Sequence, residues 1–184
     1  MSNRYRIALT VLASALAAAA GLAIAPPAQA LGQAVVLRSY ASGLCAVPLG
    51  LDNGAPVVQT RCDYNSTAHW WVRISLGNGY ELLQNAASAV THPPLPMCLD
   101  VTDGGDTNGT PLQVWQCTST PGMNWRFDYR GSGGEADIDP LYNVRSRIGG
   151  KCLDVPAASL VDGLQLQIWT CSAGMSNAAQ LWRT

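Results

Sequence analysis

The chain has little of what holds a metal or a nucleic acid. Its 184 residues contain two histidines, His69 and His92, and no Cys-x-x-Cys pair, and neither histidine lies near paired cysteines. Usual zinc-ligand spacing is therefore missing, and neither a metal nor a cofactor is expected. Lysine occurs once, as Lys151, and charged residues make up 12% of the chain. Without a basic stripe to neutralise phosphates, nucleic acid is not an expected partner. No histidine, aspartate and serine stand in a supporting motif, and no glycine loop of phosphate-binding form occurs. Two carboxylates could in principle hydrolyse a glycosidic bond. The carboxylates that stand out below recur one per repeat beside an aromatic, so the chain is not expected to be an enzyme. After residue 31 there is no amphipathic helix of useful length, and no other apolar run approaches membrane-spanning length.

The one long apolar run lies at the start. "MSNRYR" carries two arginines, "IALTVLASALAAAAGLAIA" is apolar, and "PPAQA" ends in small-x-small at Ala28-Gln29-Ala30. That order describes a signal peptide over residues 1–30, cut after Ala30. The product, residues 31–184, is expected to be secreted, soluble, free of the membrane and monomeric. Losing Arg4 and Arg6 takes the basic count from 11 to 9 against 12 acidic residues, a net charge of −3. About 154 residues suit one domain with one sizeable core.

Six cysteines in an exported chain are most simply three disulfides, and six allow fifteen pairings. They fall at Cys45 and Cys62, Cys98 and Cys117, Cys152 and Cys171. First members are 53 and 54 residues apart and second members 55 and 54, which marks three copies of one unit. The copies open alike, as "VVLRSYASGLC", "YELLQNAASAV" and "YNVRSRIGGKC", and close on Trp71, Trp125 and Trp182. The units run over about residues 34–76, 77–130 and 140–184. A cysteine pair recurring inside each repeat suggests three local bonds, each closing a short loop worth roughly 3 kcal/mol.

Within a unit the signals are for strands, with β-rich runs such as "PLQVW" and "LQLQIW" between turn-rich stretches such as "TDGGDTNGTP". Period two sets Leu112 and Val114 against Gln113, Trp115 and Cys117, and Leu166 and Ile168 against Gln167, Trp169 and Cys171. The first set in each suits a core. The second places a glutamine, an indole and a disulfide at the surface, beside a loop carrying Asp100 or Asp154. The closing tryptophans read as core plugs, and the histidines as incidental. Three such units, each too small to bury its own apolar face, can share one core in a closed all-β barrel of pseudo-threefold symmetry.

"CLDV" at 98–101 and 152–155, "QVWQC" at 113–117, "QIWTC" at 167–171 and "QLW" at 180–182 resemble the ricin B-type β-trefoil lectins and related carbohydrate-binding modules. The resemblance runs from about residue 34 to the C-terminus. It implies a β-trefoil of about twelve short strands, a local disulfide in each lobe, and at most one shallow sugar site per lobe. Carried over by position, it implies carbohydrate contacts from Asp154, Gln167, Trp169 and Gln180 in the third lobe, and from Asp100, Gln113 and Trp115 in the second. The third lobe holds Ala179 where the family has asparagine, with Asn177 close by. The second holds Gly122 and Met123 at the family's Asn-Gln positions and so lacks one wall. The first holds Val47 and Thr60 at the aspartate and ring positions, and its site is read as dead. The resemblance suggests a galactose-type sugar or a xylan-like polysaccharide. The competing expectation is a secreted trefoil serving as a protein-interaction or inhibitor module, its sugar sites vestigial.

An independent chemical reading supports a sugar. An indole offers a flat apolar platform to the CH face of a pyranose. A carboxylate accepts from neighbouring hydroxyls, and a side-chain amide both donates and accepts.

Overall fold

A computed structural model describes residues 32–91, 95–133 and 138–184. The expected signal segment and His92 lie outside the described residues. Short runs of β-formers broken by glycine and asparagine turns give thirteen antiparallel strands among the described residues. The first unit contributes β1 (Gln33–Val35), β2 (Arg38–Ser39), β3 (Cys45–Pro48), β4 (Ala55–Thr60) and β5 (Trp71–Ser75). The second contributes β6 (Glu81–Asn85), β7 (Met97–Val101), β8 (Leu112–Gln116) and β9 (Trp125–Gly133). The third contributes β10 (Asp139–Ser146), β11 (Cys152–Asp154), β12 (Gln167–Trp169) and β13 (Trp182–Arg183).

The pairings close a ring. β1 pairs with β5, β5 with β6, β6 with β9, β9 with β10, β10 with β13, and β13 with β2. β1 and β2 are two pieces of one strand, broken at Val36-Leu37, and between them they seal the barrel. The remaining strands form three hairpins, β3–β4, β7–β8 and β11–β12. The hairpins also join one another, through Ala55 opposite Val114, Pro111 opposite Gln167, and Val58 opposite Gln165. A six-stranded barrel capped by a hairpin triplet is a β-trefoil, and closure leaves the barrel no sheet edge to aggregate.

One apolar core fills the barrel. Leu112, Val114, Leu166 and Ile168 are all fully buried, as period two requires. Trp71, Trp125 and Trp182 are fully buried as well, and each indole N–H meets a backbone carbonyl of its own hairpin. The acceptors are Ala46 O at 2.9 Å, Leu99 O at 2.9 Å and Leu153 O at 3.0 Å, each the residue after the unit's first cysteine. A buried indole left without such an acceptor would forfeit a hydrogen bond, so the plug also fixes the hairpin to the barrel. The three disulfides join Cys45 to Cys62, Cys98 to Cys117 and Cys152 to Cys171, with Cα atoms 5.0–5.1 Å apart.

One helix departs from the strand-only reading. In the first and third units the barrel strand returns to the hairpin quickly, with Arg38 opposite Cys45 and Arg145 opposite Cys152. In the second, Gln84 pairs with Cys98, and the longer link folds as α1 (Ala86–Thr91). Three of those six residues are alanine, the best helix former. Ser88 anchors the helix from a buried position, donating to Asn85 O at 2.7 Å and accepting from Met97 N at 2.9 Å.

Candidate functional site

The hairpin register brings the site residues together. Asp100 lies opposite Gln113 across β7–β8, and Asp154 opposite Gln167 across β11–β12. Gln113 Nε2 donates to Asp100 Oδ2 at 2.8 Å, and Gln167 Nε2 to Asp154 Oδ1 at 2.8 Å. Two positions along, Trp115 stands opposite Cys98 and Trp169 opposite Cys152. These indoles are 41% and 43% exposed, whereas Asp100 and Asp154 are buried in their clefts. Gln113 is buried too and Gln167 half-buried, so the glutamines do not share the indoles' exposure. The turn of the neighbouring hairpin lies against each glutamine, Gly54 by Gln113 and Gly109 by Gln167, which alternation along a strand does not report.

Each aspartate sits at the base of a cleft. A single 3-10 turn follows it, Thr102–Gly104 or Pro156–Ala158, with Asp103, Ala157 and Ala158 held at φ of 52°. The third-unit cleft, about 410 Å³, is lined by Asp154, Gln167, Trp169, Asn177, Ala179 and the 157–158 turn. The second-unit cleft, about 350 Å³, includes Asp100, Asp103, Gln113, Trp115, Gly122 and Ile148. Burial raises the pKa of both aspartates above the ordinary value. For Asp100 the Gln113 bond and the Val101 amide oppose the rise and the Asp103 charge adds to it. For Asp154 bonds from Gln167 and Gln180 oppose it. Each cleft thus offers a carboxylate already held by amide hydrogen bonds, beside an exposed ring.

Gln180 is fully buried. Its Nε2 donates to Thr170 O at 2.9 Å, and its Oε1 accepts from Ser172 N at 2.8 Å. It ties down the segment that carries Trp169 and Cys171. The same position in the other units holds Met123, whose Sδ accepts from Thr118 N at 3.4 Å, and His69, whose Nδ1 accepts from Asp63 N at 3.3 Å. His69 is therefore not incidental. It occupies a recurring slot whose duty is to accept the amide just past the second cysteine. Asn177 lines the third-unit cleft, and its Oδ1 accepts from Ala179 N at 3.1 Å.

The second-unit cleft has a wall that its own repeat does not encode. A Cβ on Gly122 would stand 2.9 Å from Asp100 Oδ1, so the bare glycine makes room for the carboxylate. Ile148, from the turn after β10, supplies an apolar face in its place. In the first unit Val47 lies opposite Val58, and Thr60 opposite Cys45. Val47 is buried in an apolar cluster with Val36 and Cys45, backed by Ala68 and Trp70. Two valines thus stand where the other hairpins pair a carboxylate with an amide.

Neighbouring units also brace each ring, through residues that reading one repeat at a time misses. Asn53 Oδ1 accepts from Gln116 N at 2.8 Å, and Asn108 Oδ1 accepts from Thr170 N at 2.8 Å. The following glycines hold positive φ, 86° at Gly54 and 89° at Gly109, and donate to Val114 O and Ile168 O at 2.9 Å. Added Cβ atoms there would lie 3.9 Å from the Trp115 and Trp169 rings. The turn of one hairpin therefore fixes the platform strand of the next. The signal was the Asn-Gly pair recurring at 53–54 and 108–109, with Asp-Gly at 162–163. Among the described residues, no group of three or more His, Cys, Asp or Glu side chains could hold a metal ion.

Comparison with known proteins bears on this geometry. Residues 27–115 and 121–184 match the family described as ricin-type β-trefoil lectin domain-like. Nigrin b of Sambucus nigra is 35% identical over 82 residues, which are 45% of this chain and 12% of that protein. The match thus spans about an eighth of that curated relative's length. The designed threefold-symmetric protein ThreeFoil superposes with a TM-score of 0.67 at 24% identity, covering 82% of this chain and 96% of its own. The exo-β-1,3-galactanase 1,3Gal43A of Clostridium thermocellum superposes with a TM-score of 0.65 at 27% identity, over 80% of this chain and 29% of that enzyme.

Proposed function

The chain belongs to the ricin-type β-trefoil lectin domain-like family, and from that premise we propose that it is a secreted, monomeric, non-catalytic lectin with two working sugar sites. The carrying observation is the repeated unit of a buried aspartate, its glutamine partner and an exposed tryptophan, present in two clefts. A pyranose stacks its CH face on Trp169 while two of its hydroxyls donate to the carboxylate of Asp154. Gln167 holds that carboxylate in place, and Gln180 and Asn108 hold the strand beneath the ring. Asp100, Gln113 and Trp115 repeat the arrangement, with Ile148 as a different wall.

The third-unit site is the stronger of the two, because it keeps Gln180, where the second unit has Met123, and carries Asn177 on its rim. The first unit binds no sugar at the equivalent place, since Val47 and Thr60 offer neither charge nor ring. Galactose-type sugars are the first ligands to try, a choice supported by the likeness to part of a galactanase, and xylan is the second. Shallow sites are weak singly, so useful affinity comes from one polymer engaging both.

The test is a glycan and polysaccharide panel probed with the native protein, Asp154→Asn, Asp100→Asn and the double variant. Binding that weakens in each single variant and vanishes in the folded double variant supports the reading. Binding that ignores both aspartates overturns it, and a protein-interaction role would then take its place.

A further inference from the structure

A third cleft, of about 360 Å³, lies away from both aspartate sites, at the seam where β1, β2 and β13 close the barrel. Its lining includes Arg38, Tyr64, Trp70, Asp139 and Arg183. Arg38 and Arg183 are direct cross-strand partners of the β2–β13 pair, so their side chains leave the sheet on the same face. Like charges placed directly opposite destabilise a sheet unless a counter-charge lies between them. Asp139 supplies only part of that counter-charge. Its Oδ2 stands 3.5 Å from Arg183 Nε, and Arg183 Nε is buried without a hydrogen-bond partner among the described residues. Arg38 is exposed, and its Nε donates to Gly43 O at 2.9 Å.

The other wall is aromatic. Trp70 donates its indole N–H to Tyr64 O at 3.1 Å, which locks the two residues together, and Tyr64 is 55% exposed. Two arginines on one face of the sheet beside ring surface, in a cleft comparable in size with those carrying Asp100 and Asp154, match one class of ligand. A sugar ring bearing a carboxylate can present its CH face to the aromatics and its charge to the arginines.

We propose that the seam cleft is a separate site for an acidic sugar residue, a uronic acid, whose carboxylate bridges Arg38 and Arg183. Asp139 competes with that carboxylate for Arg183. The site does not use Asp100 or Asp154, and it lies where the first unit, whose own hairpin holds two valines at the site positions, meets the third.

Galacturonic acid and oligogalacturonate, with galactose as the neutral counterpart, are titrated by calorimetry into the Asp100→Asn/Asp154→Asn protein. Failure of the hairpin sites then leaves this result unaffected. The expected outcome is binding of the acid but not of galactose, weakening several-fold as ionic strength rises toward about 0.5 M. Arg38→Gln, at an exposed position, should weaken binding about tenfold, as loss of a charge-assisted pair requires. Asp139→Asn should strengthen it, an effect that a purely structural ion pair would not produce. Equal response to galactose and galacturonic acid overturns the proposal, as does affinity unchanged in Arg38→Gln, or no binding of the acid at all.

Discussion

Gln167 donates to Asp154 at 2.8 Å, and Gln113 donates to Asp100 at the same distance from the same cross-strand position. Two copies of one bond, 54 residues apart, hold two carboxylates in the same geometry beneath two exposed indoles. The bond has a cost. The carboxylate is largely taken from water, and the amides that reach it do not fully replace that water, so both pKa values sit above the ordinary value.

Replacing Asp154 by Asn removes the charge and keeps an oxygen to accept from Gln167. Hydrogen bonds to a charged acceptor are worth about 1.5–3 kcal/mol each, so sugar affinity at the third-unit site should fall by about 10- to 100-fold. The melting temperature should hold or rise, because a buried charge is gone. Calorimetric titration and thermal unfolding on one preparation check both halves.

The pH dependence has opposite signs for binding and for stability. A folded pKa raised above 3.8 means that the native state takes up protons more readily than the unfolded chain. The stabilisation from Asp100 and Asp154 is fully present below pH 3.8 and is lost as pH rises through their folded pKa values. Sugar binding needs the carboxylate, so it should fail on acidification while the pH is still above 3.8. Affinity and unfolding midpoints measured across that range, against the double Asp→Asn protein, separate the two trends. The double variant should lose this component of the pH dependence of stability.

Exposed and buried tryptophans should respond differently to truncation. Trp169→Ala and Trp115→Ala remove 43% and 41% exposed rings, and should abolish most binding at their own sites with little change in unfolding free energy. Trp182→Ala removes a fully buried plug and its bond to Leu153 O, at a cost of about 3–5 kcal/mol. Denaturant unfolding beside sugar titration resolves the two classes.

A residue of one unit should control the site of the next. Asn108→Ala strands the amide of Thr170, which follows Trp169, and should weaken the third-unit site several-fold in an Asp100→Asn background. Asn53→Ala should do the same to the second-unit site in an Asp154→Asn background, through Gln116 N. Titration of each variant beside its own background checks the pairing, and sugar affinity unchanged by the asparagine substitution would contradict it.

The triple repeat, the strand periods, the cysteine pairs and the buried closing tryptophans were all legible in the linear chain. So was the alignment of Asp100, Gln113 and Trp115 with Asp154, Gln167 and Trp169. All of these recur at a fixed spacing, or act within about twenty residues of chain, where local pattern and covalent closure decide the outcome. The helix at Ala86–Thr91 was harder to see, because six residues make too short a period to register. Tertiary structure alone decided what reaches across units. It set Asn108 under Trp169 and Ile148 against the second-unit cleft. It buried Gln113, and it put Arg38 opposite Arg183 at the seam. Those contacts exist because three units close one barrel, and the neighbours that closure creates come from different repeats, as Asn108 and Thr170 do at a separation of 62 residues, beyond the range of any local pattern.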